Sequence, residues 1–332
     1  MEHYQISVMK CKAMIRTSIL LLLFFLSGCN WTGEKECKLP DIETLTADSI
    51  RIASPELLSV TSMFLVGENT VGIYQERNDT LFSFWKLPGW ELLFKAGIYG
   101  QGSSDFLTLD RTFRAQDNGF CAFEIPTGRV LGITFGKDRP LDVSAQPLEL
   151  DFMPNRFLFL ADSTYAFFSP DNDYEFCTYS RKEGVRYFGT YPEMIEREEG
   201  IPAFISVNKL TVAHPDGKRF AAFYANIKMC RIYDKKGVLQ KETLLSPPVT
   251  QPDGSLKFFY TAQPFATADA IYLLASDEED CILEVWNWDA TLLHRYHLNS
   301  PIHKLIVCGT AVYGIHADKE EYVHTYTLPV IE

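Results

Sequence analysis

The chain has 332 residues, with 31 lysines and arginines against 43 aspartates and glutamates and a formal net charge of −12 at pH 7. That sign argues against nucleic acid as a partner and against lying flat on an anionic bilayer. Aromatic residues make up 14%, with 24 Phe and 16 Tyr, which favours strands, and no long Gly/Ser/Pro linker divides the chain, so one large β domain is expected.

Lys10, Lys12 and Arg16 precede an unbroken apolar run at residues 19–26, which closes on Leu26-Ser27-Gly28-Cys29. Positive flank, apolar run and small residues form the pattern of a secretory signal. The run is far short of the ~20 residues that span a bilayer as a helix. Leu26-Ser27-Gly28-Cys29 resembles the bacterial lipobox. The resemblance implies cleavage before Cys29 and a diacylglyceryl group on its thiol. Each buried acyl methylene adds about 0.8 kcal/mol, so membrane lipid joined through Cys29 is a lasting anchor. The expected organisation is a lipoprotein signal peptide over 1–28, a lipidated tether over 29–41 and the β domain over 42–332. Met9 gives a more ordinary signal length and is an alternative start. The leader carries a net +2, so its loss takes the chain from −12 to −14.

Beyond the tether, alternating segments recur. The clearest units cover 69–100, 163–191, 218–245, 269–298 and 310–328, with a weaker one at 118–133. Each shows an apolar strand, a polar turn, an alternating strand, a second turn and another strand. The second turns carry Pro88-Gly89, Gly184, Gly237 and Asp289-Ala290, residues suited to turns. A further apolar strand precedes the units, as at 57–66, 156–160, 203–212 and 302–307. Four strands in about 50 residues is the size of a propeller blade. The pattern predicts an all-β, six-bladed β-propeller of four-stranded blades. The last unit lacks its fourth strand, and residues 48–52 (Asp-Ser-Ile-Arg-Ile) are expected to supply it, closing the ring and removing a free edge.

Two short motifs carry a family resemblance. Tyr99-Gly100-Gln101-Gly102-Ser103-Ser104-Asp105-Phe106 is similar to the Gly-x-Gly-Pro-x-Glu-Phe connection after the first blade of TolB-like propeller lipoproteins of Bacteroidetes, with Ser103 and Asp105 replacing Pro and Glu. His214-Pro215-Asp216-Gly217-Lys218 resembles the Ser-Pro-Asp-Gly-Lys turn of TolB-type blades. The resemblance implies the fold and an anchor in the cell envelope, in the outer membrane with a periplasmic or surface-facing body. It implies no single activity. Glu34-Lys35-Glu36 reads both as a surface-export hint of such lipoproteins and as a solvated tether.

The sequence contains no HExxH, GxSxG, GxxxxGK[ST] or CxxC, and no catalytic residue is assigned. His294 and His297, three apart in a strand, fall on opposite faces and make a poor metal pair. Asp79, Asp171, Asp173, Glu175, Asp277, Glu278, Glu279, Asp280, Asp318, Glu320 and Glu321 all fall in the same turn of different units. A ring of such carboxylates would suit a cation such as calcium or a basic partner; as solvated turn tips they bind nothing, and that is the favoured expectation. No motif calls for a cofactor. Cys37, Cys121, Cys177, Cys230, Cys281 and Cys308 are read mainly as free thiols in apolar strands. The loops at 99–106, 135–140, 191–195, 246–252 and 299–304 are expected on one face, and position marks Tyr99, Gln101, Asp105, Lys137, Asp138, Tyr191 and His303 as candidate ligand contacts. Two functions fit: a non-catalytic binding module for an envelope protein or glycan, or a propeller hydrolase or lactonase with a metal at the central channel.

Overall fold

The computed structural model describes residues 39–52, 57, 59–102, 105–137, 140–195, 197, 200–277 and 280–329. The signal segment, Cys29, Cys37, Ser103, Ser104, Asp138, Glu278 and Glu279 lie outside the described residues.

Six sheets follow one another along the chain. Two N-terminal strands come first, β1 (Ile42–Leu45) and β2 (Asp48–Arg51). Blade 1 is β3 (Ser62–Val66), β4 (Thr70–Tyr74), β5 (Thr80–Lys86) and β6 (Glu91–Ile98). Blade 2 is β7 (Arg114–Gln116), β8 (Gly119–Glu124), β9 (Arg129–Thr134) and β10 (Asp142–Pro147). Blade 3 is β11 (Asn155–Phe159), β12 (Thr164–Phe168), β13 (Phe176–Ser180) and β14 (Gly184–Phe188). Blade 4 is β15 (Lys209–Ala213), β16 (Arg219–Tyr224), β17 (Lys228–Asp234) and β18 (Leu239–Ser246). Blade 5 is β19 (Phe265–Ala266), β20 (Ala270–Asp277), β21 (Asp280–Asn287) and β22 (Leu292–Leu298), and blade 6 is β23 (Ile302–Cys308), β24 (Ala311–His316) and β25 (Tyr322–Thr327). The first strand of each blade is innermost: β3 lies against β7 and β23, and β15 against β11 and β19. This is the six-bladed propeller that the repeats predict.

Middle strands are covered on both faces by neighbouring blades, so they read as nearly continuous apolar runs, such as Leu81-Phe82-Ser83-Phe84-Trp85 on β5. Outer strands face water on one side and are mixed, as in Glu91–Ile98. The buried apolar residues fall into six clusters, one at each blade–blade junction. Phe123 of blade 2 stacks on Phe157 of blade 3 at 4.1 Å between ring centroids, with planes 2° apart. Each fully buried aromatic side chain contributes on the order of 2–3 kcal/mol, which is why 14% aromatic content suits a ring with six such junctions.

Ring closure comes from β2, which pairs antiparallel with β25 through Ile50 and Val323. The segment just before it adds something the pattern did not show. β1 pairs parallel with β22, from Ile42 opposite Arg295 to Leu45 opposite Leu298, so blade 5 has a fifth strand. Its residues are mostly exposed, so no buried pattern announces it. A second difference lies at 203–212. Residues Ala203–Ser206 form one helical turn, not a strand, because the Pro202 carbonyl accepts from the Ile205 amide at 2.9 Å; the strand begins only at Lys209. Cys177 and Cys230 are buried free thiols, and Cys121, Cys281 and Cys308 are half-buried free thiols.

Candidate functional site

Because strands alternate in direction, the ring has two unlike ends. Loops between blades and turns between second and third strands share one end, termed here the loop face. The first-to-second and third-to-fourth turns share the other. Tyr99, Gln101 and Asp105 sit in the connection from blade 1 to blade 2, on the loop face. There the Asp105 carboxylate accepts from the Gly102 amide at 2.9 Å, and a Cβ at Gly100 would lie 2.4 Å from it. Asp105 therefore folds its own loop and seats Phe106, which is fully buried. Lys137 is a correction to the shared-face expectation: its loop joins β9 to β10, third strand to fourth, and so lies at the opposite end.

The carboxylate ring also resolves differently. Asp171 and Asp173 are exposed and form a local turn, with the Asp173 amide on Asp171 Oδ1 at 2.9 Å. Glu320 faces His303, with Nε2 at 3.7 Å, and accepts from the Ser59 amide. Glu175 is fully buried between blades 3 and 4. Its carboxylate takes Arg231 Nη1 at 2.8 Å, the Tyr224 hydroxyl at 2.7 Å and the Tyr233 hydroxyl at 3.0 Å. Lys209 Nζ stands 3.7 Å from Glu175 Oε1 with no hydrogen-bond partner, among the rings of Phe168, Phe176 and Tyr191 at 4.6–4.9 Å. Burial pushes its pKa down to about 8, against the pull of Glu175. Tyr191 is thus half-buried packing for a buried ion cluster. A second such cluster joins blades 4 and 5: Glu284 is fully buried, with Lys228 Nζ at 2.5 Å and Trp286 Nε1 at 3.1 Å.

Of these charged residues Glu175 alone is named from the sequence, although the signal for others is present. Arg231 and Glu284 each interrupt an apolar strand and Lys209 opens one, and a buried charge demands a partner. Among the described residues, no group of three or more His, Cys, Asp or Glu is placed to hold a metal ion.

The ring encloses a cavity of about 310 Å³. It is lined by residues on or beside the inner strands of blades 1 to 5, among them Phe64, Phe113, Phe159 and Phe265 and the polar Arg111, Thr112, Arg114, Thr211, His214 and Gln263.

Solved structures share this ring. A member of the DUF4221 family from Bacteroides vulgatus superposes with a TM-score of 0.61, at 10% identity over 87% of this chain and 98% of its own. A presumed exported protein of Bacteroides fragilis superposes with a TM-score of 0.54, at 11% identity over 87% of this chain and 97% of its own. At such identities the likeness is one of fold. No family model matches the chain, and neither does any curated protein.

The two ends of the ring differ in apolar exposure. On the loop face, Tyr99 (58%), Met153 (60%), Ile205 (56%) and Phe258 (53%) stand exposed, joined by Tyr174, Met194, Ile201, Val249 and Leu256. They come from the connections following blades 1, 2, 3 and 4 and from the middle turn of blade 3. Among the described residues of the opposite turns, Val238 is the one large apolar side chain so exposed.

Proposed function

We propose that this chain is an exported lipoprotein of the TolB-like propeller kind, cut before Cys29, held at the cell envelope by its lipid, and docking a protein partner through the loop face. The observation that carries the docking is the concentration of exposed Tyr, Met, Ile and Phe on that one face. Aromatic residues and Met are enriched at protein interfaces. Rigid blades hold these loops in fixed positions, which lowers the ordering cost of binding. The leader supports export, as does the fold shared with a presumed exported protein. Losing the leader's +2 at cleavage takes the charge from −12 to −14, which favours a basic partner.

The test is a crosslinking pull-down from native membranes, with Cys29→Ala as the mislocalised control. One stoichiometric partner is expected, lost in the control and in Phe258→Ser/Ile205→Ser, and retained in Val238→Ser at the opposite end. A partner that survives the loop-face substitutions, or none at all from gently solubilised membranes, overturns the reading.

A further inference from the structure

Three inner strands lose register at the loop-face end of the channel, and each irregularity carries a cation. On blade 2, Leu109 bridges Glu124 while Arg114 pairs with Cys121, so the longer segment between them, containing Arg111, stands away from the ladder. On β11 the register slips between Asn155 and Leu158, and Arg156 adopts a left-handed φ of 58°. On β23 it slips between Ile302 and Lys304. Bulges re-aim side chains and recur beside functional sites. A left-handed arginine persists only where its surroundings impose it, and such strain gathers at binding sites.

The surroundings do impose it. The Asp110 carboxylate accepts from the Thr112 amide at 3.0 Å and from the Phe157 amide at 3.3 Å, tying the blade 2 bulge to the blade 3 bulge. The Ser62 hydroxyl donates to the Arg111 carbonyl at 2.8 Å, tying it to blade 1. Arg111 lies near enough to both Arg156 and Lys304 that its charge disfavours theirs, on top of their burial. Two carboxylates face the group, Asp110 toward Arg156 and Glu320 toward Lys304. Three cations against two carboxylates leave this end of the channel net positive in a chain of net charge −12, which favours an anion. Arg111 also lines the 310 Å³ cavity beside Phe64 and Phe113, whose rings stack at 4.3 Å. The rest of the lining mixes apolar side chains with Thr112, Thr211 and Gln263, and such a mixed cavity is the usual form of a small-molecule site.

We propose that Arg111, Arg156 and Lys304 bind the carboxylate of a small organic acid whose apolar body enters the adjoining channel cavity. This site lies at the same end of the ring as the docking face and uses other residues. Isothermal titration of the full chain in detergent tests it with three probes: phenylacetate, its neutral amide, and acetate. Phenylacetate is expected to bind at least tenfold tighter than either of the others. Arg111→Gln and Lys304→Gln should each weaken it at least tenfold with an unchanged Tm, while Lys137→Gln, the same charge change at the opposite end, leaves it unaltered. No binding of phenylacetate, equal binding of the amide, or an equal loss in Lys137→Gln overturns the proposal. Loss of a protein partner in the loop-face variants has no bearing on these titrations, so the two readings fail separately.

Discussion

Lys209 and Glu175 should respond to removal in opposite ways. Glu175 is the counter-ion of two buried cations, Arg231 at 2.8 Å and Lys209 at 3.7 Å. Glu175→Leu leaves Lys209 uncompensated and Arg231 with Glu242 alone, at 2.6 Å, and removing one partner of a buried ion pair costs about 3–5 kcal/mol. Lys209 contributes little in return for its burial. Its ammonium has no hydrogen-bond partner, and Arg231 and two tyrosines already satisfy the carboxylate. Lys209→Met keeps the stem in its aromatic surroundings and removes the charge, so it should be neutral or stabilising. The pH dependence gives the sharper test. The lysine titrates near 8 in the folded chain against 10.5 ordinarily. Between those values the unfolded chain binds more protons, so stability rises with pH over that window and is lost as pH falls through 8. The full span corresponds to about 3 kcal/mol. Urea unfolding followed by tryptophan fluorescence from pH 7 to 10 measures it, with Lys209→Met as the reference in which this rise is missing. Parallel curves for the two chains, or a Lys209→Met loss as large as that of Glu175→Leu, would refute the reasoning.

Gly72→Ala should cost about 1–3 kcal/mol by overpacking, since its Cβ would stand 2.4 Å from the Phe64 ring; Gly67→Ala, in open space at φ 70°, should cost about 1 kcal/mol, and urea midpoints compare the two. Truncation to residue 47 removes β1, whose side chains are mostly exposed, and should lower the Tm slightly. Truncation to residue 53 also removes β2 and opens the ring, so a large, cooperative loss is expected by calorimetry. Thiol titration should find Cys177 and Cys230 inert in the folded chain, because burial raises both thiol pKa values, and all five described cysteines reactive once urea unfolds it.

How much of this was legible depends on which faces of a strand are covered. Middle strands such as β5 are buried on both sides and state themselves as apolar runs, so the ring and its closure by residues 48–51 could be read. Strands that are short or exposed could not: β7 has three residues, β10 is mostly exposed, and so is β1. For the same reason the sequence puts the loop of Lys137 at the wrong end, since without β10 a within-blade turn reads as a blade connection. The candidate site was less legible than the fold. Tyr99 and Gln101 are on the loop face as expected, but the channel cations depend on bulges, and one surplus residue in a strand leaves no mark on composition or period. Glu175 reads as an ordinary turn residue until the hydroxyls of Tyr224 and Tyr233 are seen to converge on it from the next blade.

The two N-terminal strands set the order in which this molecule can be finished. Ala47 meets Asn299 across 252 residues, and Ser49 meets His324 across 275. At about 5–20 residues per second, synthesis leaves the first strands waiting roughly 10–50 s for partners not yet made. Throughout that interval they are unpaired strands, open to any other chain that offers an edge. Completion is therefore a late, all-at-once event, and the cell's handling of the growing chain is a matter of keeping its beginning covered until its end arrives.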